Sequence, residues 1–125
     1  TVNFSVVPLT AGVIATTTTA NDASGILGPW VTVGATTLLQ YGTVNGSSQI
    51  VSYGGATAGT AGTLANVTSD TVNYSFGAAA TLTGAITGNT LRYTGGAATL
   101  ANGGFSTTLN GLIAAGSMNP STCAV

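Results

Sequence analysis

Charge is what this chain lacks most. Of its 125 residues, one is basic (Arg92), two are acidic (Asp22 and Asp70), and none is histidine. Soluble domains ordinarily carry about a quarter charged residues; here the fraction is 2 %. Without a basic patch there is nothing to hold a phosphate backbone or an anionic bilayer, which excludes nucleic acid and membrane insertion as expected partners. Acid–base catalysis needs a group that exchanges a proton near neutral pH. The chain has no His and no Glu, and its two Asp lie far apart in sequence. A Ser or Thr nucleophile would need an activating base, and there is neither His nor Lys to supply one. Metal sites gather several His, Cys or carboxylate ligands, and only Asp22, Asp70 and Cys123 are available. The Gly-rich stretches lack the strand–Gly-x-Gly-x-x-Gly–helix setting and the Lys of a phosphate loop, so they read as bends. The expectation is no catalytic, cofactor-binding or metal site, and no enzyme.

Other scarcities narrow the class further. Cys123 is single, so no disulfide forms within the chain; it reads as a free thiol on a Pro- and Ser-containing tail, with an interchain bridge as the other reading. With three prolines and no three-residue glycine period, collagen is excluded. Val6 to Ala15 is apolar but too short to span a bilayer, and it has no basic flank of a signal peptide. A start at Thr1 is expected of a processed chain or of a piece of something longer. Disorder does not fit a chain whose mean hydropathy is +0.48. With almost no charge there is no self-repulsion, so contact with copies of itself is expected.

What the chain has in abundance is Gly, Ala and Thr, about half of all residues. Strand-prone Thr and Val runs are broken at Asn45-Gly46, Gly54-Gly55, Gly95-Gly96 and Gly103-Gly104. No run has the period of an amphipathic helix. The string Ala-x-Thr-Leu starts at Ala61, Ala79 and Ala97, two gaps of 18 residues. A second string runs through Thr71-Val72-Asn73-Tyr74, Thr90-Leu91-Arg92-Tyr93 and Thr108-Leu109-Asn110, with gaps of 19 and 18. A period this short is too brief for a strand–helix–strand unit and suits one coil of a stacked β architecture. The reading is an all-β, right-handed parallel β-helix (β-solenoid) with coils of about 18 residues, irregular before Gly54. Alternation along strands predicts one interior column of Leu64, Leu82 and Leu100, with Thr63, Thr81 and Thr99 outside. It predicts a second of Val72, Leu91 and Leu109, sharing a face with Tyr74 and Tyr93, while Asn73, Arg92 and Asn110 point out.

The stretch Asp22-Ala23-Ser24-Gly25-Ile26-Leu27-Gly28-Pro29-Trp30-Val31-Thr32-Val33 resembles the opening of units in bacterial surface proteins with autotransporter-associated β-strand repeats. Tyr41-Gly42, Asn45-Gly46, Ile50 to Tyr53, Leu82-Thr83-Gly84, Asn89 to Tyr93 and Asn110 to Ser117 resemble later elements of that family, so the resemblance covers residues 21 to 117. It implies a parallel β-helix exported to the cell surface as part of a longer passenger-type chain. Only one opening motif is present where the family usually has them in tandem, and surface attachment through a membrane-anchoring barrel is not an expectation drawn from these residues.

The organisation read from the sequence is a strand-prone segment at 1–20 that caps the fold or pairs with another subunit, a β-solenoid at 21–117 and a tail at 118–125. The expected function is a structural, self-associating stalk or filament subunit, extracellular or at the bacterial cell surface, with copies of itself as partner. The alternative is an adhesin-type or ice/carbohydrate-binding passenger module, with surface glycans as the partner of the adhesin or carbohydrate-binding form. Trp30 is expected as a core plug, with a sugar-stacking platform as the other reading. Arg92 is expected on a solvated face near Asp70. Asn3, Asn45, Asn66 and Asn73 each begin an Asn-x-Ser/Thr sequon, at a frequency that so many Ser and Thr produce by chance.

Overall fold

In a computed structural model the chain divides into two compact units, Thr1–Gly55 and Ala56–Val125. The structure describes residues 1–4, 15–34, 39–58, 69–77, 80–81, 84–94, 100–101 and 104–114. All regular elements among them are strands, and none is a helix long and apolar enough to cross a membrane.

The first unit is a mixed four-stranded sheet in the order β1-β2-β3-β4, formed by β1 (Val2–Phe4), β2 (Val31–Val33), β3 (Gln40–Val44) and β4 (Ile50–Ser52). β1 runs parallel to β2, while β2–β3 and β3–β4 are antiparallel. Two sharp reversals shape this unit, and both follow one rule. Asp22 Oδ1 accepts from the N–H groups of Ser24 and Ile26, and the Asp22 N–H donates to the Ile26 carbonyl. Asn45 Oδ1 accepts from the N–H groups of Ser47 and Gln49, and the Asn45 N–H donates to the Gln49 carbonyl. In each, a short polar side chain imitates a turn of backbone, and the fourth residue takes a left-handed conformation. That residue is Gly25 (φ 88°) in one turn and Ser48 (φ 59°) in the other. Asn21 adds a further imitation: its amide donates to the Val44 carbonyl and accepts from the Val44 N–H, pairing with β3 as a strand residue would. Among the described residues, Ile26, Leu27, Val31, Val33 and Tyr41 are the buried apolar side chains here.

The second unit holds a four-stranded sheet in the order β10-β8-β6-β5, every pair parallel, made of β5 (Thr57–Ala58), β6 (Asn73–Phe76), β8 (Ile86–Tyr93) and β10 (Thr107–Ala114). β7 (Ala80–Thr81) pairs parallel with β9 (Leu100–Ala101) in a separate two-stranded sheet. Tyr74, Phe76, Ile86, Leu91 and Tyr93 form the core, with Val72 and Leu109 packed against it. One irregularity organises this sheet. The N–H groups of Asn89 and Thr90 both reach the Val72 carbonyl, at 2.7 and 3.4 Å, so two residues of β8 oppose one. This β-bulge shifts the alternation by a residue. Gly88 and Leu91 would otherwise face opposite sides, yet both meet the core. The Tyr74 ring lies over Gly88, where an added Cβ would sit 2.9 Å from Tyr74 Cε2 and 3.2 Å from Leu109 Cδ2. β10 follows β8 through the bulge residue for residue, Leu109 opposite Gly88 and Leu112 opposite Leu91.

These observations correct the expected β-helix of about 18-residue coils. In the first unit two of the three strand pairs are antiparallel, β3 and β4 being folded back on each other by the Asn45–Gln49 turn. In the second unit, Thr57, Tyr74, Leu91 and Leu112 lie side by side, so the offset is 17 residues twice and then 21. Leu100 stands opposite Ala80, an offset of 20 and not 18. The bulge and unequal connections break the steady register that a continuous solenoid requires. The predicted column of Val72, Leu91 and Leu109 is therefore replaced by Tyr74 beside Leu91 and by Leu109 beside Gly88. Leu64 and Leu82, with the side chain of Leu100, lie outside the described residues, as do Thr63 and Thr99.

Candidate functional site, an uncharged edge strand

β10 is eight residues long and stands at the end of its sheet among the described residues. Its sequence, Thr107-Thr108-Leu109-Asn110-Gly111-Leu112-Ile113-Ala114, contains no charge and no proline. Charges, prolines and short length are among the devices by which proteins keep sheet edges from pairing with other chains. β10 has none of these three. By contrast β5, at the other end of the sheet, is two residues long. Along β10, Thr108, Asn110, Leu112 and Ala114 are exposed and Ile113 is buried. Leu112 is 38 % exposed, although it lies beside the buried Leu91.

A ladder of amides leads to this edge. Asn73 Oδ1 accepts from Asn89 Nδ2 at 3.2 Å and from the Thr90 hydroxyl at 2.7 Å. Asn110 Nδ2 donates to Asn89 Oδ1 at 3.1 Å. Asn73, Asn89 and Thr90 are buried, whereas Asn110, on the edge strand, is exposed. The bulge makes this possible by directing both Asn89 and Thr90 at one acceptor. Buried amides that satisfy one another hold strands in a single register, since any slip leaves them unpaired. Asn73, expected to point outward, is instead buried, its amide oxygen shared by Asn89 and Thr90.

Other residues singled out from the sequence fall as follows. Trp30 is 51 % exposed, which corrects its assignment as a core plug. Gly28-Pro29 explains this. Val31 N–H closes a turn onto the Gly28 carbonyl, Gly28 takes φ 135°, and the indole folds back over it. A Cβ on Gly28 would lie 2.6 Å from Trp30 Nε1. Arg92 is partly buried and donates to Ser75 Oγ at 3.3 Å; burial lowers its pKa from the usual arginine value. Asp22 is committed to its turn, accepting also from the Ser24 hydroxyl, and Asp70 is exposed. Among the described residues no three His, Cys, Asp or Glu come together as metal ligands. Asn45 is engaged in its own turn, and Asn66 and Cys123 lie outside the described residues.

Neither a protein-family model, nor a curated protein, nor a solved structure matches the chain. The resemblance to autotransporter-associated repeats thus rests on the residues quoted for it. The lack of charge in this strand is plain in the sequence, but its place at a sheet edge is not; the sequence reading puts subunit pairing at coil ends or in residues 1–20. The amide ladder is not legible there either, because Asn73, Asn89 and Asn110 are spaced by 16 and 21 residues, and only the bulge brings them together.

Proposed function

We propose that this chain is a structural, self-associating subunit of an extracellular or bacterial cell-surface assembly, and that it pairs with copies of itself and turns over no substrate. The observation that carries the proposal is β10, a long edge strand bare of charge and proline. Such an edge offers a row of backbone donors and acceptors to an added strand. Its neutrality means that neither nucleic acid nor an anionic membrane is a partner in this reading. The autotransporter-like opening at residues 22–33 supports placement outside the cell.

The test is association of the native protein and of Thr108→Lys, measured by light scattering and electron microscopy. Thr108 is exposed, so lysine there leaves the fold intact and places a charge at the edge. The native protein is expected to associate, as a dimer or larger, and to stay associated from low salt to about 1 M, where the Debye length is about 3 Å. Guanidinium should reverse the association, and Thr108→Lys should abolish it while its circular dichroism is unchanged. A native protein that is monomeric at every concentration defeats the proposal.

One observation favours a second reading, an adhesin-type carbohydrate-binding module. Trp30 is half exposed and held against Gly28, so a flat indole face is presented at little entropic cost. Quenching or a shift of the emission of this sole tryptophan by a panel of soluble glycans, lost in Trp30→Ala, would support that reading. An unresponsive panel removes it.

A further inference from the structure

Resting on the self-association proposed above, we infer that the partner strand is β10 of a second copy, paired antiparallel, with Leu109 of each copy opposite Leu112 of the other. The register follows from where the backbone of β10 points. The Ile86 N–H donates to the Ser106 carbonyl at 3.0 Å, so Ser106 faces β8. Backbone groups alternate along a strand, so Thr107 and Leu109 present theirs to the edge that no described strand pairs. β10 follows β8 through the bulge, and the phase shifts by one residue at Asn110-Gly111. Beyond that point Leu112 and Ala114 face outward.

Two copies of one edge related by a two-fold axis normal to the sheet run antiparallel. They exchange hydrogen bonds only where an outward residue meets an outward residue. Setting Leu109 opposite Leu112 of the other copy also sets Thr107 opposite Ala114, and every outward residue is then engaged. Registers centred to either side of the bulge engage only half of them. Side chains agree with this choice. Leu109 and Leu112 lie in register with Gly88 and Leu91, on the core side, so each Leu109 covers a Leu112 that is otherwise exposed. Asn110 falls opposite Gly111 of the other copy, where no side chain obstructs it. Its Oδ1 has no partner among the described residues, and its Nδ2 already ends the ladder from Asn73 and Asn89. The two Asn110 amides flank the axis and carry the ladder from one copy into the next. A closed two-fold contact of this kind is the commonest symmetry of self-association.

Cysteine pairs test the register. With Cys123 replaced by serine, Leu109→Cys and Leu112→Cys are prepared separately, then oxidised mildly alone and mixed. The mixture should give covalent dimer at least about tenfold above either variant alone, since directly opposed residues lie within the span of a disulfide. Like cysteines would be three residues out of register, roughly 10 Å along the strand. Because Leu109 touches the core, Thr107→Cys mixed with Ala114→Cys provides a second pair with the same expected result. Efficient cross-linking of either leucine variant alone, or none in both mixtures of a protein that scattering shows to be associated, overturns the register and leaves the self-association standing. A protein that never associates overturns both.

Discussion

Tyr74→Phe removes a hydroxyl that lies buried in the core of the second unit with no hydrogen-bond partner among the described residues. The ring is 2 % exposed and stacks with Phe76 at a centroid distance of 6.4 Å, so the side chain has no room to swing its oxygen into water. A buried hydroxyl without a partner costs about 1–3 kcal/mol. Deleting it leaves a void of about 10 Å³, worth only about 0.2 kcal/mol at 24 cal/mol per Å³. The apolar edge of phenylalanine therefore wins, and the variant is expected to be more stable by about 1 kcal/mol or more. In guanidinium unfolding followed by circular dichroism, that corresponds to a midpoint raised by about 0.3 M. A pH arm makes the test sharper. Burial raises the Tyr74 phenol above its ordinary pKa of 10.0. The unfolded chain releases this proton first, so between the unfolded and folded pKa values the native state holds a proton that the unfolded state has lost. Stability contributed by the neutral phenol is thus complete below pH 10 and declines as pH rises through the folded value. Tyr74→Phe should be free of that share of the alkaline loss. A variant less stable than the parent, with the same alkaline slope, would refute the reasoning and mean that the hydroxyl is satisfied in the native protein.

Gly88→Ala should destabilise the second unit by about 1–3 kcal/mol, because its Cβ would meet the buried Tyr74 ring at 2.9 Å; a rise in the unfolding midpoint, the usual effect of alanine for glycine in a strand, would exclude that close approach. Ser48→Gly should stabilise the first unit by about 0.5–1 kcal/mol, since a non-glycine residue there takes φ 59°; thermal unfolding checks this, and a lower midpoint contradicts it. Asn73→Ala takes away the acceptor shared by Asn89 and Thr90, at an expected loss of about 2–4 kcal/mol; hydrogen exchange of β8 should accelerate, and unchanged protection would show that the ladder is not structural.

Several features can be read from the residues without coordinates. The Asn45-Gly46 break is a turn, although the chain reverses through three residues ending at Ser48 and not through the pair alone. The loss of the 18-residue phase before Gly54 lies beside the division between the units at Gly55 and Ala56. Leu91, Tyr74 and Tyr93 are on one buried side, as alternation requires. Trp30 was misplaced because hydrophobicity alone favours burial, while Gly28-Pro29 turns the indole outward over a residue that has no side chain.

Composition is legible without coordinates: one basic residue, two acidic residues and no histidine. Strand character and the sites of reversal are local properties, set by β-branched residues and by short polar side chains that bond to their own backbone. Register is not local. A period of two tells which side a residue faces only until an extra residue enters, and one slip moves every following side chain to the other face. The bulge at Asn89-Thr90 is such an entry, held by the Val72 carbonyl, the Asn73 amide and the Tyr74 ring over Gly88. These contacts join residues 14 to 18 positions apart, so only the folded chain decides which side chains form the core, which form the ladder and which reach the open edge.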